Sequence, residues 1–350
     1  MNLPNLRGLG LGNITAVRGV DPVAKPEASF GKMLEVSKGK DSTTGHWEIA
    51  GLITEREFPT FPSGFPDDLV KRFVKASGRG GYLGNTVASG TVIIQDLGAR
   101  HLQSGFPIVY TSADSVFQIA AHEEVIPVPE LYEMCRKTRS EVCTGRYAVS
   151  RVIARPFVGR DGAFTRTTNR RDFSIDPPGA TLLDLLHERN IETVSVGKVD
   201  DLFAGRGLAR SIHTKSNSEG VGHIVAEAQR MQNGLIFANL VDFDTLYGHR
   251  NDPRGFAAAL VEFDAFLPDI MHQIGPQDVL VITADHGNDP VTPSTDHSRE
   301  YVPLLWYARG KGGALGVRKT FADLGKTIAG FFQVENALAG ESFLPTVSGI

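Results

Sequence analysis

Asp278 to Gly287 reads "DVLVITADHG". An unbroken apolar run, Val279 to Ile282, leads within a few residues to an acid and an imidazole, Asp285 and His286. A run without polar alternation is the mark of a strand covered on both faces. Three other stretches share that character: "TVSVG" (Thr193 to Gly197), "LIFANLVDF" (Leu235 to Phe243) and "VPLLWYA" (Val302 to Ala308). Helical spacing separates them, in "GATLLDLLHERN" (Gly179 to Asn190, with Asn190 as the stop) and in "RGFAAALVEFDAFLPDIMHQI" (Arg254 to Ile274). Strand and helix in alternation predict a doubly wound α/β domain.

From about Phe58 to Phe173 the texture changes. Glycine and proline are frequent, and the strand-like pieces are short: "GTVIIQDL" (Gly90 to Leu97), "PIVYTSA" (Pro107 to Ala113) and "RYAVSRVIARPFV" (Arg146 to Val158). One helical piece lies near Pro129 to Thr138. This pattern predicts an inserted α+β cap domain over 58–173, within a core formed by 1–57 and 174–350. A chain of 350 residues agrees with about two domains.

Composition narrows the function classes. A net charge of -4 argues against general nucleic-acid binding. No apolar run reaches the ~20 residues that span a bilayer, and "MNLPNLRGLGLGN" lacks the regions of a signal peptide. Two cysteines, Cys135 and Cys143, imply no disulfide framework. The expectation is a cytoplasmic protein with reduced thiols and a small-molecule substrate.

Two clusters lie where strands should end, which is where open α/β sheets bind ligands. "VDFDTLYGHR" holds Asp242, Asp244 and His249, and "ADHGNDPVTPSTDHSRE" holds Asp285, His286, Asp289, Asp296 and His297. Carboxylates and imidazoles without thiolates suit a divalent ion. Asp242, Asp289 and Asp296 also suit turns and helix caps. The remaining five, Asp244, His249, Asp285, His286 and His297, exceed the roughly three protein ligands of one catalytic ion, so two ions are expected. A third stretch, "GKDSTTGHWE" (Gly39 to Glu48), sets three hydroxyls in a row, Ser42, Thr43 and Thr44. A metal pair would activate such a hydroxyl. A polar helix cap is the plainer reading, and spacing does not choose among the three.

Taken together, "GKDSTTGHWEIAG", "YTSADSVFQIAAHEE", "RVIARPFVG", "VDFDTLYGHRND" and "TADHGNDP…TDHSREYVPLL" strongly resemble the phosphopentomutase family of the alkaline-phosphatase superfamily, in order and over nearly the whole chain. The resemblance implies an alkaline-phosphatase-like core sheet with an inserted cap. It implies interconversion of ribose 1-phosphate and ribose 5-phosphate, and of the deoxyribose pair, with two manganese ions and a sugar bisphosphate as activator. The phosphorylated hydroxyl then falls on Ser42, where the family carries threonine. One ion is expected on Asp244, His249 and His297, the other on Asp285 and His286 beside Ser42. The pentose phosphate is expected on Ser112, Asp114, Val116, Arg151, Ile153, Arg166 and Lys198. A closing cap would keep water from the phosphoryl group.

The beginning of the chain departs from the family pattern. Family members open on an apolar strand ending like V-L-D-S-x-G, whose aspartate is a metal ligand. "MNLPNLRGLGL" resembles a later segment, and Asp21 does not lie on a buried strand. The expectation is a fragment or misassigned start, with a weaker ion and an uncovered strand edge, or else a degenerate relative. Two other functions stay open: a phosphatase or different phosphomutase of the same superfamily, and a phosphosugar binder without turnover.

Overall fold

The computed structural model describes residues 1–160, 162–309 and 312–348. Two compact units emerge, Met1–Glu57 with Pro177–Ile350, and Phe58–Asp176. In chain order the strands are β1 (Ser29–Met33), β2 (Leu83–Val87), β3 (Ile108–Thr111), β4 (Val116–His122), β5 (Arg151–Arg160), β6 (Ala163–Arg166), β7 (Arg171–Ser174), β8 (Glu192–Val196), β9 (Arg210–Ile212), β10 (Gly234–Ala238), β11 (Leu280–Ile282), β12 (Val302–Tyr307) and β13 (Ala314–Arg318).

In the first unit the strands form two sheets, ordered β11-β12-β1-β13 and β10-β8-β9. The second is wholly parallel. The first is mixed, because β12 runs antiparallel to both β1 and β11. The apolar run at Val302 is therefore a buried antiparallel strand, a case that run character alone does not distinguish from a parallel one. Since β11 and β1 both oppose β12, they share a direction, and their carboxyl ends leave the sheet on the same side. Met33, Trp306, Phe321, Leu324 and Phe343 form a core against this sheet. Among the described residues no strand pairs with the outer edges of β10 and β11. Leu235, Ile236 and Phe237 are only half-buried there, unlike the fully buried Val194 and Val196 of β8.

The second unit is a sheet in the order β2-β3-β4-β5-β6, with β7 on β5. Its faces separate by alternation. Val109, Phe117, Ile119, Val152 and Ala154 face one core, with Leu69 and Phe73 of the helix Asp67–Ser77 and Leu131 and Met134 of the helix Val128–Lys137. Ile108, Tyr110, Ala120 and Phe157 face the other, with Ile93 and Ile94 of the helix Gly90–Ser104. That helix corrects the strand expected at "GTVIIQDL". Its β-branched residues favour a strand locally. Yet Ile93, Ile94, Gly98 and His101 recur at helical spacing and are the residues buried. Cys135 and Cys143 are free thiols in the first of these cores, and burial pushes Cys143 up to about 12. No helix among the described residues is long and apolar enough to cross a membrane.

Candidate metal centre and phosphosugar face

Ser42 opens the helix Ser42–Ile49, nine residues beyond the end of β1. Asp41 caps it, with Oδ1 accepting from the Thr43 and Thr44 amides at 3.0 and 3.2 Å. The Thr44 hydroxyl is spent on the same cap, donating to Asp41 Oδ2 at 2.7 Å. Ser42 is different: its Oγ lies 3.1 Å from His286 Nε2. Gly45 brings the helix against the second loop. A Cβ there would stand 1.8 Å from the carbonyl oxygen of Asp285, so only glycine permits the approach.

Asp285 and His286 follow β11, and Asp244 and His249 follow β10. The structure brings them together with His297. His297 Nε2 lies 3.2 Å from Asp244 Oδ1 and 3.2 Å from His249 Nε2. His249 Nε2 lies 3.3 Å from Asp244 Oδ2, and His286 Nε2 lies 3.4 Å from Asp285 Oδ2. The rings of His286 and His297 stack with centroids 3.7 Å apart. One trio, Asp244, His286 and His297, places a ligand atom of each within 4.8 Å of the others, so it draws on both of the expected ligand sets.

The hydrogen bonds behind these rings decide which nitrogen faces inward. His249 Nδ1 lies 2.6 Å from the Thr295 carbonyl, His297 Nδ1 3.1 Å from that of Lys40, and His286 Nδ1 3.3 Å from that of Gly287. A carbonyl only accepts, so each proton is assigned to Nδ1, leaving an Nε2 lone pair directed at the cluster. With a cation between them these lone pairs and the carboxylate are ligands, and without one a proton added to His297 Nε2 donates to Asp244 Oδ1 at 3.2 Å. The donor set therefore fits a divalent metal. Charge follows the same logic. Burial pushes the Asp285 carboxyl up, but His286 and His46 outweigh it and hold the carboxyl well below the usual range. Burial also opposes charge on His297, and the hydrogen bond to Asp244 overcomes it, so its pKa rises.

His46 is a residue the sequence reading passed over. Its Nδ1 lies 3.1 Å from Asp285 Oδ2 and 2.8 Å from the Ser42 carbonyl, so it holds the acid behind the nucleophile candidate. Asn288 Nδ2, also unanticipated, donates to Asp244 Oδ1 at 2.5 Å. An imidazole four residues after a hydroxyl at a helix start was the available signal for His46. The three acids with a plainer reading serve as expected. Asp242 Oδ2 accepts from the Asn217 amide at 2.7 Å, Asp289 Oδ1 accepts from the Val291 amide at 2.9 Å, and Asp296 pairs with Lys40.

In the second unit, strand register sorts the expected phosphosugar residues. Val116 pairs with Arg151 and Gln118 with Ile153 across β4 and β5, and Phe157 pairs with Arg166 across β5 and β6. Paired residues share a face, and alternation puts all of these on one face of the sheet. Ser112 and Asp114 lie in the β3–β4 turn, and Arg151 Nη2 lies 3.9 Å from Asp114 Oδ2. Arg155, which the sequence reading missed, shares that face and donates to Gln118 Oε1 at 3.0 Å. Asp172, paired with Ile153 in the register, shares the face and lies 3.4 Å from Arg151 Nη1, whereas among the described residues neither Arg155 nor Arg166 forms an ion pair with a carboxylate. Lys198 is not on it. It belongs to the first unit, directly after β8 and its following glycine.

A family model described as the metalloenzyme superfamily matches residues 31–336. The phosphopentomutase of Dictyoglomus thermophilum is 58% identical over 349 residues, covering 99% of this chain and 88% of that protein. That of Caldanaerobacter subterraneus is 55% identical over 346 residues, covering 98% and 88%. A solved protein of the alkaline phosphatase superfamily from Vibrio parahaemolyticus aligns over 47% of this chain and 50% of its own at 14% identity and a TM-score of 0.36, too slight to bear on the fold. Identity of this order across nearly the entire length, joined to a carboxylate–imidazole cluster with a hydroxyl against it, makes the chain a member of the phosphopentomutase family within the metalloenzyme superfamily.

Proposed function

We propose that the chain is an isomerase that interconverts ribose 1-phosphate and ribose 5-phosphate, and the deoxyribose pair, through a phosphoryl group carried on Ser42. The observation that carries this reading is the 3.1 Å approach of Ser42 Oγ to His286 Nε2 at the edge of the Asp244–His297 cluster. Phosphorylated Ser42 gives its phosphoryl group to the free hydroxyl of the sugar monophosphate, which makes the bisphosphate and restores the serine oxygen. The other phosphoryl group of the bisphosphate then returns to Ser42, leaving the isomeric monophosphate. Catalytic sugar bisphosphate is the activator, because it can phosphorylate Ser42 at the start.

Divalent ions, manganese in this reading, would be held by Asp244, His249 and His297 and by Asp285 and His286, and would supply Lewis-acid neutralisation of the developing charge. The protein's own groups do the rest. The helix N-terminus at Ser42 favours negative charge on the oxygen that it presents. His46 keeps Asp285 ionised and fixed. Arg151 and Arg166 hold the sugar phosphate through charge-assisted hydrogen bonds. Ser112, Asp114 and the backbone near Val116 and Ile153 fix the sugar, and Lys198 of the first unit is a further phosphosugar contact in this reading. In this division of labour the first unit is the catalytic core and the inserted unit the substrate-binding cap.

The test is phosphorus NMR of purified chain with ribose 1-phosphate, Mn2+ and a trace of bisphosphate. Appearance of ribose 5-phosphate, lost on omitting the metal, is the expected result. Inorganic phosphate released faster than isomerised sugar would make the chain a phosphatase. No turnover and no bound metal would make it a binding protein.

A further inference from the structure

We propose that Arg299 is a positioning residue that holds the loop carrying Ser42 against the loop carrying His297. The proposal rests on the phosphoryl-transfer reading for its catalytic consequence, and on hydrogen-bond geometry alone for the clamp itself. Arg299 stands two residues after His297. Its Nη1 donates to the Glu35 carbonyl at 3.1 Å, and its Nη2 donates to the Lys38 and Gly39 carbonyls at 2.9 and 3.1 Å. Nη1 also lies 3.5 Å from Glu35 Oε2, a carboxyl only 1% exposed. One planar guanidinium thus spans three carbonyls of the segment between β1 and the Ser42 helix.

On its other side the segment is tied to Thr54, whose carbonyl accepts from the Lys38 amide at 3.0 Å and whose amide donates to Ser37 Oγ at 3.1 Å. The Val36 and Ser37 amides are taken by Glu48, while the Lys38 and Gly39 carbonyls accept from the Arg299 guanidinium. Beyond them, Gly39 is pressed against the helix cap. A Cβ there would stand 2.5 Å from Thr44 Oγ1 and 2.9 Å from Asp41 Oδ2. The carbonyls that Arg299 grips therefore pass their position on to the Asp41 cap, and through it to Ser42. Lys40 ties the same two loops a second time, with Nζ donating to the His297 carbonyl at 2.8 Å while its own carbonyl accepts from His297 Nδ1. That second tie fixes the ring orientation of His297. Arg299 fixes the distance between the hydroxyl and the ring.

The contact with the Glu35 carboxyl, at 3.5 Å, is longer than each of the three bonds to carbonyls. The fork onto three carbonyls is a geometric device, and a lysine cannot copy it. Displacing a nucleophile by about 1 Å is enough to cost about 100-fold in rate.

The experiment compares the wild type with Arg299→Lys, Arg299→Gln and Arg299→Ala. Steady-state rates are read with ribose 1-phosphate, Mn2+ affinity by titration calorimetry, and amide exchange over residues 36–42 by mass spectrometry. Expected for Arg299→Gln is a kcat lower by about 10- to 100-fold, as for other groups that orient a site from behind, with KM and Mn2+ affinity within about threefold of wild type. Amides 36–42 exchange faster while those of the second unit do not. Guanidinium ion at millimolar concentration restores part of the Arg299→Ala rate, and Arg299→Lys does not reach wild type. An unchanged kcat, a loss shared equally by KM, or unchanged exchange in the segment overturns the proposal. A wild type without mutase turnover sinks the phosphoryl-transfer reading on its own, and the exchange measurement then still decides whether the clamp exists.

Discussion

Ser42 Oγ and His286 Nε2 lie 3.1 Å apart although 244 residues separate them in the chain. The contact joins the start of a helix to the loop after a β-strand, and it singles out one hydroxyl of three. Thr43 and Thr44 are buried, and Thr44 is committed to Asp41. Ser42→Ala is therefore expected to lower turnover by at least about 1000-fold, the scale of losing a nucleophile, with folding intact. Ser42→Thr keeps the oxygen and should retain measurable activity. Incubation with the bisphosphate should give a phosphoryl adduct on the Ser42 peptide in wild type and none in Ser42→Ala, read by mass spectrometry. An adduct on Thr43 would refute the assignment.

Gly45 carries the second prediction. Its Cα rests on the Asp285 backbone, where a Cβ would lie 1.8 Å from the carbonyl oxygen. Gly45→Ala cannot be relieved by a side-chain rotation, because both partners are backbone. The helix or the Asp285 loop must move. The expected result is a loss of about 2–4 kcal/mol in urea unfolding, in the range of severe overpacking, together with weaker Mn2+ binding. A stable variant with native affinity would show that the helix does not press on this loop.

The loops of the acid–imidazole cluster were legible because they obey a simple arrangement: an apolar run, then acids and imidazoles. That pattern picks out Asp244, His249, Asp285, His286 and His297, which the fold brings together. His46 was not legible, because its work is to meet Asp285 across the fold, and nothing local marks that pairing. Arg299 was hidden for the same reason. Its partners are carbonyls, which no residue type announces. Gly90 to Leu97 misled outright: isoleucine and valine suit a strand locally, and only the burial of Ile93, Ile94 and Gly98 against the sheet reveals the helical period. The mixed direction of β12 was equally silent, since a buried strand reads the same either way. Arg155 was visible in "RVIARPFVG" but unranked, and it took the register with Arg151 and Ile153 to set it on their face.

Metal removal gives a third prediction. Ligand atoms of Asp244, His286 and His297 lie within 4.8 Å of one another, and His249 Nε2 lies 3.2 Å from His297 Nε2. A cation bound there binds the folded state alone, so saturating Mn2+ at about 100 times Kd should add about 2.7 kcal/mol of stability. Chelation should lower the melting temperature in a concentration-dependent way and abolish turnover, and added Mn2+ should restore both. Asp244→Asn removes charge where His297 and His249 meet it, and should weaken Mn2+ by about 10- to 100-fold. A melting temperature indifferent to both chelator and Mn2+ would mean that the cluster holds no ion.

Glu35 supplies the last. Burial pushes its carboxyl up from the ordinary 4.5 to about 8, with Arg299 pulling the other way and the nearby Glu48, Asp41 and Asp285 adding to the rise. Neither of its oxygens has a hydrogen-bond partner among the described residues. Between pH 4.5 and about 8 the folded state holds a proton that the unfolded chain has released. Stability from this group therefore falls as pH rises through that window and levels off above it. Other acids in the site, Asp285 and Asp244, have lowered values and act with the opposite sign at low pH, so the wild-type curve alone mixes the two. Glu35→Gln isolates the effect, because an amide keeps the shape and never ionises. Relative to wild type, the variant should gain on the order of 2 kcal/mol between pH 6 and pH 8 in urea unfolding, at about 1.4 kcal/mol per unit of pH across a window that begins to close near 8. A difference between the two proteins that stays flat with pH would show that Glu35 is ionised throughout, held as a carboxylate by Arg299.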